Sequence, residues 1–120
     1  MKDQKVIYIA GPIADVPEYW VAFEKAEDIL SAWGYIPLNP ARLPQGMPDK
    51  AYMRIDLAMI DSADAVVFLP GYESSKGAML EFKYCLYTDK PVAFMTNLFD
   101  KNDAEKMANL KIYLEKVVEK

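Results

Sequence analysis

Ala65-Val66-Val67-Phe68-Leu69, followed after a short loop by Ser74-Ser75-Lys76-Gly77-Ala78-Met79-Leu80-Glu81, decides how this chain is read. The first piece is the most apolar run in the sequence; the second opens a segment that reads as helix to about Thr88. A buried strand, a polar glycine-containing loop and a helix form a layout that points free backbone amides at an anion. Glu81 is the unusual residue. At about 100° per residue it lies roughly opposite Lys76 and Lys83, which mark the solvent face. Its one-turn neighbours Gly77, Ala78, Tyr84 and Cys85 are small or largely apolar. A carboxylate turned inward there is costly unless it is paired or used. The alternative is a helix register or end effect that leaves Glu81 half exposed.

Outward from this stretch, strands and helices alternate. Val6-Ile7-Tyr8-Ile9-Ala10 is a strand buried on both faces, ending at Gly11-Pro12. Asp15 and Glu18 have capping-box spacing, and Pro17 suits a first helical turn, so a helix is expected from there to about Trp33, stopped by Gly34. Trp20, Phe23, Ala26, Ile29, Leu30 and Trp33 supply its apolar side. Tyr35-Ile36-Pro37-Leu38 is a second strand, placed at the sheet edge by its proline. Asn39 to Asp49 is a long irregular stretch. Asp49 could cap a helix over Lys50 to Ser62, with Lys50, Arg54 and Asp61 on one face and Asp56 roughly opposite. Asp56 is thus a second carboxylate turned inward. Lys90 to Met95 gives a fourth strand. From Asn102, with Glu105 at capping-box spacing, an amphipathic tail helix carries Met107, Leu110, Tyr113 or Leu114, and Val117 or Val118 on its apolar side. That side either covers the sheet or meets a second chain.

This alternation predicts one α/β domain over residues 1–120: a three-layer sandwich, flavodoxin-like or Rossmann-like, with about four parallel strands in the order 2-1-3-4. Ligands in such folds sit beyond the carboxyl ends of the strands. Gly11-Pro12, Asn39-Pro40 and the Ser74–Gly77 loop are expected to converge there, flanked by Glu81 and Asp56.

Composition narrows the chemistry. The chain has 120 residues, 52% hydrophobic and 27% charged, with a net charge of -4, which disfavours a nucleic-acid polymer as partner. One cysteine and no histidine remove a disulfide, a cysteine- or histidine-rich zinc site and a Ser-His or Cys-His nucleophile. Acid-base work falls to carboxylates, tyrosine, lysine or water. Met1 to Lys5 is no signal peptide and no apolar run spans a membrane, so a cytoplasmic location is expected. No GxGxxG or GxxxxGK[ST] pattern follows Gly11-Pro12, against a standard dinucleotide or ATP site. Taken singly, Tyr8 reads as a core tyrosine, Ser74 and Ser75 as helix caps, Cys85 as a buried thiol and the methionines as packing.

The ordered set Tyr8-Ile9-Ala10-Gly11-Pro12, Asp56-Leu57, Ser62-Ala63-Asp64-Ala65-Val66-Val67, Gly77-Ala78-Met79-Leu80-Glu81 and Lys90-Pro91-Val92 resembles the nucleoside 2-deoxyribosyltransferase family. That family includes a deoxynucleoside monophosphate N-hydrolase branch and small phage-associated relatives. The resemblance implies that Glu81 is a nucleophile on the anomeric carbon, that Tyr8 orients it, and that Asp56 contacts or protonates the leaving base. It implies a small nucleoside or nucleotide substrate, no cofactor or metal, and a homodimer or larger homo-oligomer. Transferases of the family carry aspartate six residues before the glutamate; the hydrolases carry serine, as Ser75 is here. Gly11, Pro12, Asn39, Ser74, Ser75 and Gly77 are the expected substrate contacts. The Gly11-Pro12-Ile13-Ala14 loop lacks the hydroxyl and arginine that the hydrolases place there. The function expected is cleavage or transfer at the N-glycosidic bond of a deoxynucleoside or its 5′-monophosphate. The alternatives are a silent module that senses or sequesters a small nucleotide, and an NAD-like N-glycosidase.

Overall fold

A computed structural model describes residues 3–95 and 104–119. Four strands, β1 (Val6–Ala10), β2 (Ile36–Leu38), β3 (Ala65–Phe68) and β4 (Val92–Phe94), form one parallel sheet in the order β2-β1-β3-β4. Helices α1 (Trp20–Ala32), α2 (Asp49–Ser62), α3 (Lys76–Tyr87) and α4 (Ala104–Val118) cover its two faces. The fold class and the strand order are those read from the sequence.

The strand period assigns residues to faces. Ile7 and Ile9 of β1 join Val67, Leu69 and Ala93 under α1 and α4, where Phe23, Leu30 and Leu114 are fully or almost fully buried. Tyr8 and Ala10 point the other way, with Val66 and Phe68, towards Ile60 of α2 and Cys85 of α3. Each large apolar side chain so buried contributes about 1.5–3 kcal/mol relative to exposure. The apolar side of α4 is spent within the chain: Leu110, Leu114 and Val118 close over the sheet. Asn102 of the expected capping box lies outside the described residues.

Two local expectations are corrected. Helix α1 begins at Trp20, and Asp15 and Glu18 form no capping box, because both lie in the left-handed region (φ 61° and 52°). Pro17 also disfavours helical backbone at Val16 before it. Trp20, expected on the inner side, is exposed. At α2 the cap position is Pro48 and makes no side-chain cap; Asp49 is the first helical residue, where its charge suits the helix dipole.

Candidate active site

Parallel strands place the starts of α2 and α3 at the same sheet edge, each helix running back down its face. Along α3, Ala78, Glu81 and Cys85 recur at helical spacing and form the buried stripe. Along α2 the buried residues are Asp56 and Ile60. The two acids, 5% and 8% exposed, therefore enter the same layer as Tyr8, which is wholly buried in the middle of β1. The Tyr8 hydroxyl donates to Glu81 Oε1 at 2.6 Å.

Asp56 is close enough to act electrostatically on both Tyr8 and Glu81. Its Oδ1 is buried and makes no hydrogen bond within the protein. Burial pushes Glu81 up to about 8; the Tyr8 hydrogen bond opposes this and the Asp56 charge adds to it. Burial alone lifts Asp56 to about 6. Tyr8 is raised well above its ordinary value by burial and by the two carboxyls. Near neutral pH the two acids together hold about one proton. A buried, coupled pair of acids with one oxygen unpartnered is what makes this layer the candidate site.

One turn towards the helix starts from the acids lie Met53 on α2 and Gly77 on α3. Ser75 caps α3, its Oγ accepting from the Ala78 amide at 3.2 Å. Helix-start geometry leaves the Lys76 and Gly77 amides without intrahelical partners. Gly77 faces Met53 of α2, whose Cε is 3.8 Å from where a Cβ on the glycine would stand. The preceding turn, Tyr72–Ser74, is set by Gly71 in the left-handed region (φ 83°). Ser74 itself is exposed.

The remaining expected contacts reach the same edge but turn elsewhere. Gly11 packs towards α1: a Cβ there would stand 3.0 Å from Leu69 Cβ and 3.2 Å from Phe23 Cζ. The glycine is required by packing. Pro12 approaches Gly71, linking the loops that leave β1 and β3. Asn39 Oδ1 accepts from Ala41 N–H at 2.9 Å, capping the turn Pro40–Arg42. Its side chain also assists Arg42 in holding the α1 residue Glu27 below the usual carboxylate range. The structure thus brings Tyr8, Asp56 and Glu81 together, sets Gly77 about one turn and Ser75 nearly two turns before Glu81, and turns Gly11 and Asn39 to the α1 side.

Two residues escaped the sequence reading. Met53 passed as packing, although its place three before Asp56 matches that of Gly77 four before Glu81. Tyr52 pins the long loop to α2, its hydroxyl donating to the Pro44 carbonyl and accepting from Met47 N–H at 3.1 Å. Among the described residues no group of three or more potential metal ligands forms, and no helix is long and apolar enough to cross a membrane.

The four-stranded parallel α/β fold of this chain is also that of a solved deoxyribosyltransferase. A 2-deoxyribosyltransferase from the psychrotolerant bacterium Bacillus psychrosaccharolyticus, described as a biocatalyst for nucleoside synthesis, shares it at a TM-score of 0.62 and 23% identity. The match covers 77% of this chain and 72% of that one. Residues 5–94 match the family described as a domain of unknown function, DUF4406, and the chain belongs to that family. A search of curated proteins finds no match.

Proposed function

We propose that the protein cleaves or transfers at the N-glycosidic bond of a deoxynucleoside or deoxynucleoside 5′-monophosphate. The observation that carries this reading is the buried Tyr8–Glu81 hydrogen bond with Asp56 beside it. In this reading Glu81 attacks the anomeric carbon as the carboxylate while the bond to the base breaks. The electron pair of that bond leaves with the base, which takes a proton from Asp56. Water or a second base then attacks the anomeric carbon of the glycosyl ester, giving its proton to the Asp56 carboxylate as the bond to Glu81 breaks, so one hard step is split into two.

The acid pair suits this sequence because it holds one proton near neutrality. In the free protein that proton favours Glu81. The positive charge that develops at the sugar favours ionised Glu81 and moves the proton's balance towards Asp56, where a leaving base can use it. Tyr8 fixes the attacking carboxylate. Ser75 and the amides at Lys76 and Gly77 contact the phosphate or the sugar, a hydroxyl and helix amides accepting a phosphate that a carboxylate would repel. The test is release of free base from a panel of deoxynucleosides and their monophosphates by wild type and by Glu81→Gln. Release by wild type that vanishes in the variant supports the reading. Binding without release from any substrate would refute it.

A further inference from the structure

We propose that Met53 is the gate of the acid pair: its thioether covers the carboxylates in the free protein, must move aside to admit a substrate, and thereby sets the size of the group accepted beside Asp56. The cover rests on geometry alone, while the admission of substrate rests on the glycosidic reading above.

Met53 lies one turn from Asp56 on the same face of α2, and Gly77 lies one turn from Glu81 on the same face of α3. The methyl of Met53 meets Gly77 across the gap between these helices. The contact sits on the helix-start side of both acids. Glu81 and Asp56 are nearly shut from water by the chain's own residues. Cavities of about 310 and 710 Å³ lie elsewhere, one between Pro12, Val21 and Leu69 and another between Gln4, Trp33 and Glu119. Because the acids are buried, entry to them requires a side chain to move.

Met53 is suited to that movement. It is only partly buried, and a methionine has three rotatable bonds and no branch. Opposite it stands a glycine, so no side chain on α3 blocks the swing. Swung aside, the thioether offers a soft apolar wall of the kind that packs against aromatic rings. The groups that face Glu81 are Tyr8 from β1, Asp56 from α2 and Cys85 from its own helix. None of them carries a positive charge, so burial is what holds the Glu81 proton, and an opened cover must release it.

The experiment is a carbon-13 carboxyl titration of the free protein, with Glu81 assigned through Glu81→Gln, in wild type, Met53→Leu and Met53→Ala. Met53→Ala should lower the Glu81 midpoint by about one pH unit or more, and Met53→Leu should leave it within a few tenths of a unit. In base release, Met53→Ala should raise kcat/KM for large bases relative to small ones by about tenfold, mainly through KM. An unmoved Glu81 midpoint in a folded Met53→Ala protein overturns the cover. Should that variant fail to fold, Met53→Gln, which keeps the length and brings a polar amide over the acids, carries the same expected fall. A fallen midpoint together with no base release by wild type upholds the cover and overturns the admission of substrate, so the two failures are told apart.

Discussion

The Tyr8 hydroxyl reaches Glu81 Oε1 at 2.6 Å across 73 positions of chain, joining the middle of the central strand to the inner stripe of α3. Of the influences on Glu81, burial and Asp56 push its proton affinity up and this bond alone pulls it down. In Tyr8→Phe the alkaline limb of the base-release profile, which in the free protein follows Glu81, should therefore move to higher pH by about one unit. Maximal kcat should fall by about 10- to 100-fold as the carboxylate loses its fixed orientation. A pH profile of kcat/KM checks both. An unshifted limb would mean that the bond does not act on Glu81.

Stability should fall as pH rises. Glu81 goes from 4.5 to about 8 on folding and Asp56 from 3.8 to about 6. The folded protein thus keeps protons that the unfolded chain releases. The contribution is present in full below the unfolded values and is lost as pH climbs through the folded ones. Unfolding free energy from urea titration should drop by on the order of a few kcal/mol between about pH 5 and about pH 9. Glu81→Gln should remove most of that slope and be more stable than wild type at the alkaline end. A wild-type stability that rises over this range would contradict the buried acid pair.

Ser75 discriminates between substrates. Aspartate caps a helix as well as serine does, so Ser75→Asp should keep α3 intact. With a 5′-monophosphate, the added charge should lower kcat/KM on the order of 100-fold, while an uncharged deoxynucleoside should lose little. Steady-state kinetics on both substrates provide the comparison. Equal losses would reduce Ser75 to its capping bond with Ala78.

Gly11→Ala should destabilise the fold without touching the acids. The new methyl would press on Leu69 and Phe23, both buried under α1, and neither can withdraw freely. Overpacking of this kind costs about 1–3 kcal/mol. Denaturant unfolding should show a lower midpoint with an unchanged slope. A variant as stable as wild type would show that the β1 exit can shift.

The sequence by itself determined the layers and the strand order, and helical period turned both acids inward. The half-exposed alternative for Glu81 was closed only by its burial in the structure. Apolar runs of strand length and charged stripes at helical period are local signals, and chain handedness leaves few ways to arrange them. Lys76 and Lys83 told where α3 faces water, and therefore where Glu81 points. Only the tertiary structure decided which residues meet. That Tyr8 bonds Glu81 depends on which face of β1 lies under α3. The same choice of face turned Asn39 and Gly11 towards α1, although their loops leave the same edge. The start of α1 was also out of reach, because the left-handed backbone at Asp15 and Glu18 overrode a capping pattern that both residues fit. The Met53–Gly77 contact was equally hidden, since it joins two helices through a residue that looks like ordinary packing on either one. Periodicity fixes the direction of a side chain on its own element, whereas contact distance is set by how separate elements pack.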